Sequence, residues 1–173
     1  MIFKENKIGI LGGSFDPAHK GHLVISKIAA KRFKLKKVIW AITKKNPFKK
    51  KSNSNLATRI KFCKKIIEKV KFIKIQFYED LIKSNKTIDL INYLTKDNKN
   101  DIYFIMGADN LIQFHKWDKW EKISEKCKII VFDRYGYKKK SLNSTTFKRL
   151  NNKNLKFIEF NKVNISSSQL RKI

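Results

Sequence analysis

His19 and His22 stand three residues apart, with Gly21 between them, and follow the run Gly12-Gly13-Ser14-Phe15-Asp16-Pro17. On the first turn of a helix residues three apart share a face, so the two imidazoles can donate together to the bridging and non-bridging oxygens of a triphosphate. The apolar stretch Ile8-Gly9-Ile10-Leu11 just ahead has the pattern of a strand. Strand, glycine turn and helix start would bring backbone N–H groups and the positive end of a helix dipole to one point, which suits them to hold phosphate. Gly12 and Gly13 are expected to form that turn, free to take positive φ and lacking a Cβ that would keep a phosphate chain away. Pro17 would stiffen it, and Ser14 falls within the same phosphate-facing group. A His-x-Gly-His pair by itself is more often a pair of satisfied surface groups or a chance metal pair. The strand, the paired glycines and the Phe-Asp-Pro turn around it are what favour chemistry here.

Other residues fit a second half of such a site. Gly107 would let a flat base lie against the backbone, and the Asp109 carboxylate would accept bonds from ribose hydroxyls, although an Asp opening a helix also serves as a cap. Ser166 and Ser167, followed by Arg171, offer hydroxyls, helix-start N–H groups and a guanidinium fork for the β- and γ-phosphates. Each candidate follows a strand-like run: His19 and His22 the first, Lys49 the second, Thr87 the third, Gly107 and Asp109 the fourth, Arg134 the fifth, the serines the sixth. Ligands of open α/β sheets sit outside the carboxyl ends of the strands, where strand order reverses, so all of them are placed to converge on one crevice.

The elements that must position them alternate. Strands are expected over residues 7–11, 38–42, 72–77, 101–106, 128–132 and 155–160, and helices over 21–33, 56–70, 87–95, 109–114 and 117–125. Thr87 is expected to cap its helix. Residues 44–55, polar and lysine-rich around Asn46-Pro47, read as a mobile loop; residues 138–154 are polar and read as either partly helical or loose; a short helix is expected from Ser166. The pattern predicts an α/β fold, an open parallel sheet of Rossmann-like type with helices on both faces, in a single domain over residues 1–173.

With 41 Lys and Arg against 14 Asp and Glu, the formal net charge is +27. The lysines are dispersed rather than gathered into a stripe with interleaved aromatics, which argues against a specific nucleic-acid partner and leaves a general attraction for polyanions such as ATP. Cys63 and Cys127 form no metal or redox motif, and no apolar run is long enough for a signal peptide core or a membrane span. A soluble protein of a reducing cytoplasm is expected, and association into a homo-oligomer stays open.

The run Gly12-Gly13-Ser14-Phe15-Asp16-Pro17-x-His19-x-Gly21-His22 resembles the signature of the nucleotidylyltransferase superfamily, specifically of the bacterial nicotinate mononucleotide adenylyltransferases. Further similarities, in order, run nearly the whole length: Asn46-Pro47-Phe48-Lys49, Met106-Gly107-Ala108-Asp109-Asn110 with Trp117 downstream, Asp133-Arg134, and Ile165-Ser166-Ser167-Ser168-Gln169-Leu170-Arg171. The resemblance implies transfer of the adenylyl group of ATP to nicotinate mononucleotide, with magnesium carried on the ATP oxygens rather than in a dedicated site. It implies catalytic roles for His19, His22, Lys49 and Arg171. ATP would be held by Gly12, Gly13, Ser14, His19, His22, Gly107, Asp109, Ser166, Ser167 and Arg171, and the mononucleotide by Thr87, Asp109, Trp117 and Arg134. One stretch departs from the family pattern Ser-Tyr-Thr-x-x-Thr: Lys86 stands for its tyrosine and Leu90 for its second threonine. That departure leaves open nicotinamide mononucleotide or pantetheine phosphate as acceptor, and the charge leaves open a basic nucleic-acid-binding module.

Overall fold

Apolar strand runs separated by amphipathic helices suit a parallel sheet with helices packed on its faces, and the computed structural model, which describes residues 6–45, 52–151 and 153–159, has that architecture. Strands β1 (Asn6–Gly13), β2 (Lys37–Ile42), β3 (Ile73–Gln76), β4 (Asn100–Gly107), β5 (Lys128–Phe132) and β6 (Leu155–Ile158) pair throughout in parallel. Their order is β3-β2-β1-β4-β5-β6. The chain therefore winds outward one way from β1 and then the other way from β4. This reversal opens a crevice at the carboxyl ends of β1 and β4.

The intervening helices are α1 (Lys20–Phe33), α2 (Leu56–Ile67), α3 (Glu79–Ile82), α4 (Thr87–Thr95), α5 (Ala108–Phe114), α6 (Trp120–Lys126), α7 (Lys138–Leu142) and α8 (Thr145–Leu150). Both sheet faces are covered, which is why the central strands are apolar at nearly every position. Ile10, Ile39, Phe104, Met106 and Val131 meet Ile91 of α4, Leu111 and Phe114 of α5 and Ile123 of α6. On the opposite face Val38, Trp40, Ile73, Ile105 and Phe132 meet Ala29 of α1 and Cys63 of α2. Full burial of an Ile or Phe side chain of this kind contributes about 1.5–3 kcal/mol.

Several expectations move. β1 runs on through Gly12 and Gly13, neither of which has positive φ; the left-handed residue is Phe15, at φ 48°. The turn is thus made after the glycines, and their contribution is bare backbone at the strand end. Thr87 does not cap α4. Lys86 holds the cap position, while Ser84 Oγ accepts from the Lys86 N–H at 3.1 Å and donates to Asp89 Oδ2 at 2.6 Å. The helix expected over 117–125 starts at Trp120, behind Lys119 at φ 49°. The unassigned polar stretch contains α7 and α8, the second capped by Ser144, whose Oγ accepts from Phe147 N–H at 3.2 Å. Short helix α3 was not anticipated. Among the described residues no helix is long and apolar enough to cross a membrane.

Candidate active site

His19 and His22 open α1, and the backbone fixes both rings. His19 is the N-cap: its Nδ1 accepts from Gly21 N–H at 3.1 Å, and His22 Nδ1 accepts from His19 N–H at 3.1 Å, a reciprocal capping box. An imidazole whose Nδ1 accepts carries its proton on Nε2 when neutral. The two rings, with centroids 3.8 Å apart, therefore present the same tautomer. An aromatic platform lies beneath them. The Phe15 ring is 4.7 Å from His22 and stacks at 5.0 Å on Trp40; Trp40 Nε1 donates to Ser26 Oγ at 2.9 Å, which donates to the His22 carbonyl at 2.7 Å. Neither Ser26 nor Trp40 was among the sequence candidates, because their link to the histidines runs through the helix–strand packing.

Beside this turn lies a cavity of about 360 Å³. Its apolar wall is Ala41, Ile42, Leu90, Phe104 and Trp117, and its polar rim includes Thr43, Glu79, Lys86, Thr87, Asn110 and Asp118; Gly12 and Gly13 form the edge nearest the histidine turn. Trp117 is half-buried and meets Phe104 edge-on at 6.0 Å and Phe114 at 5.1 Å. Of the residues expected at the mononucleotide, Thr87 and Trp117 border this cavity, and Asp109 and Arg134 do not. Burial pushes the Tyr78 phenol, on the cavity wall, above its ordinary value, and neighbouring Tyr93 adds to the rise.

Asp109 and Arg134 pair with each other, Arg134 Nη1 donating to Asp109 Oδ2 across the ends of β4 and β5. Asp109 Oδ1 is buried and has no hydrogen-bond partner among the described residues. Gly107, the N-cap of α5, has φ −81° and ψ 158°, open to any residue. Its bareness matters for space instead of conformation. Lys49, Ser166, Ser167 and Arg171 lie outside the described residues.

A further pair holds the loops around the site. Arg59, on α2 and 2% exposed, donates through Nη1 to the Ser14 and Thr43 carbonyls, both at 2.7 Å, through Nη2 to the Lys44 carbonyl at 3.1 Å, and through Nε to the Ser54 carbonyl at 3.2 Å. Asp16 Oδ2 accepts from Asn53 N–H at 2.6 Å and Ser54 N–H at 3.3 Å. Together they lock the turn after β1 to the end of β2 and the start of α2. In sequence Arg59 is one more base in a basic amphipathic helix, and only its place in the helical period, facing inward with Cys63, hints otherwise.

The cytidylyltransferase-like family matches residues 10–173. A Pelagibacter ubique protein named "Probable nicotinate-nucleotide adenylyltransferase" is 67% identical over 170 residues, covering 98% of this chain and 94% of its own length. A Bradyrhizobium protein of the same name is 38% identical over 146 residues, covering 83% and 76%. Among solved structures, the Plasmodium falciparum nicotinic acid mononucleotide adenylyltransferase complexed with NaAD superposes with a TM-score of 0.77 at 22% identity, covering 96% of this chain and 83% of that one, a likeness of fold. With its parallel sheet, its histidine turn and these similarities together, the chain belongs to the cytidylyltransferase-like family, among the nicotinate-nucleotide adenylyltransferases.

Proposed function

We propose that the protein transfers the adenylyl group of ATP to the phosphate of nicotinate mononucleotide, releasing pyrophosphate and forming nicotinate adenine dinucleotide, a step in NAD synthesis. The observation that carries the reading is the adjacency of the Trp117 cavity to the histidine turn, joined by the bare Gly12–Gly13 edge. An acceptor seated in the cavity would have its phosphate directed at a triphosphate held by the turn.

A phosphate oxygen of the mononucleotide attacks the α-phosphorus, a new P–O bond forms, and the bond to the β-phosphate oxygen breaks, so that pyrophosphate leaves with its electron pair. The nucleophile belongs to the substrate and no enzyme-bound intermediate is needed. Catalysis then rests on positioning and charge stabilisation. With Nδ1 occupied by backbone N–H groups, His19 and His22 would offer Nε2–H donors to the phosphates. Lys49, Ser166, Ser167 and Arg171 are assigned to the rest of the triphosphate, Thr87 and Trp117 to the nicotinate ring and its ribose, and the Asp109–Arg134 pair to the ribose and phosphate between the two halves.

Magnesium bound to ATP would screen the phosphate charge. Its ligands would be phosphate oxygens and water, as is usual for magnesium carried on a nucleotide. The protein is assigned to the cytoplasm as one domain. Purified protein incubated with ATP, magnesium and nicotinate mononucleotide is expected to release pyrophosphate and form the dinucleotide. Turnover with pantetheine phosphate alone would overturn the assignment.

A further inference from the structure

Among the described residues, three charged ones line the cavity: Glu79, Lys86 and Asp118. Glu79 is already committed. Its Oε1 accepts from the Thr43 hydroxyl, and both of its oxygens lie 3.3 Å from the Lys44 N–H. Lys86 and Asp118 are paired across the rim, Nζ to Oδ2 at 3.3 Å. Lys86 immediately precedes Thr87 and the start of α4, and Asp118 immediately follows Trp117. The pair thus joins the two segments between which an aromatic ring resting on Trp117 would enter.

Lys86 is the cation among the described residues of this lining. Both members are about half exposed, at 56% and 45% of their side-chain surface, and ion pairs so exposed are held weakly and exchange readily. We infer that Lys86 is a specificity-determining residue: it leaves Asp118 to pair with the carboxylate on the acceptor's pyridine ring, so that the acid is preferred to the amide. The inference rests on the proposed reaction and says which chemical form of the acceptor the site takes. An amide in the same place offers no charge, and to admit it Lys86 would keep Asp118 as its partner.

The consequences have opposite signs for the two residues. Lys86→Gln removes the cation, and the ratio of kcat/KM for nicotinate over nicotinamide mononucleotide is expected to fall about fivefold, through KM for the acid, with the amide nearly unaffected. Asp118→Asn removes the competitor, and KM for the acid is expected to fall by about twofold, less so as salt is raised. Lys86→Arg, which keeps the charge, is expected to retain most of the preference. A pair acting only as a structural latch would shift both acceptors alike and in the same direction in both variants.

The experiment is steady-state kinetics with both mononucleotides, accompanied by calorimetric binding of each to the wild type and the three variants. The inference is supported where the acid-to-amide ratio falls in Lys86→Gln and rises in Asp118→Asn, in turnover or in Kd. It is overturned by a ratio that Lys86→Gln leaves unchanged, or by a fall in both variants. Absence of turnover with either acceptor overturns the proposed reaction, and the Kd ratios then decide the role of Lys86 separately.

Discussion

Asp109 Oδ1 occupies the space into which a side chain on residue 107 would grow: a Cβ built on Gly107 would lie 2.6 Å from it. The other oxygen of the same carboxylate is held by Arg134. The bare glycine at the end of β4 therefore leaves the space that the Asp109 carboxylate fills against Arg134.

Gly107→Ala is accordingly expected to leave the backbone unstrained but to push the Asp109 carboxylate aside. The expected loss in kcat/KM is about tenfold, with only a small change in melting temperature. In an Asp109→Ala background the same change should cost almost nothing more, because the atom it collides with is gone. A double-mutant cycle on kcat/KM checks this coupling.

The capping box gives the histidines a structural part beside the catalytic one. His22→Ala is expected to cost about 2–4 kcal/mol of transition-state stabilisation, the range for a preorganised donor, and to appear mainly in kcat. His19→Ala also removes the side-chain cap of α1, so a further loss of about 1 kcal/mol in folding stability is expected. Single-turnover kinetics beside urea unfolding distinguishes the two effects. Near wild-type turnover in His22→Ala would remove it from the catalytic set.

Thr87 and Trp117 border the cavity rather than the histidine turn. Thr87→Ala and Trp117→Phe are both expected to raise KM for the mononucleotide more than KM for ATP. If only the ATP value moved in initial-rate measurements with each substrate varied in turn, both residues would be reassigned to the other half of the site.

Arg59 satisfies the carbonyls of Ser14, Thr43, Lys44 and Ser54 from a buried position. Arg59→Ala would leave these acceptors unpaired and is expected to destabilise the fold by about 3 kcal/mol or more. Arg59→Lys should recover only part of this, because an ammonium cannot reproduce the spread of a guanidinium fork. Denaturant unfolding of both variants gives the comparison.

Burial pushes the Cys63 thiol up to about 12 from its ordinary 9.0, with the nearby Arg59 charge pulling weakly the other way. The raised value means that the thiol's contribution to stability is complete below pH 9 and is lost as pH rises toward 12, at up to about 1.4 kcal/mol per unit. At pH 8 the native thiol should react with a disulfide reagent far more slowly than the unfolded chain. Replacing Cys63 by Ala should flatten the alkaline part of the stability profile.

The sequence by itself determined the features that depend on local chemistry. The alternation of apolar runs with helical periods specified the α/β class, and the strand, the Phe-Asp-Pro turn and the paired histidines located the start of α1, because caps and turns are settled by neighbours a few residues apart. It misplaced the turn by assigning it to Gly12 and Gly13, since a glycine permits positive φ without requiring it, and here Phe15 adopts it. It left residues 138–154 open between partly helical and loose, and they contain α7 and α8, because short polar helices carry too few apolar residues to show a period.

What joins distant segments was decided only in three dimensions. Arg59 reaches Ser14 across 45 residues, Asp16 reaches Asn53 across 37, and Arg134 reaches Asp109 across 25. Nothing in the spacing of these residues announces the contacts, because each depends on the strand order that sets β1 between β2 and β4 and β5 beside β4. The Lys86–Asp118 pair over the cavity belongs with them. Local sequence chose the elements, and burial of both faces of one parallel sheet chose which of their ends would meet.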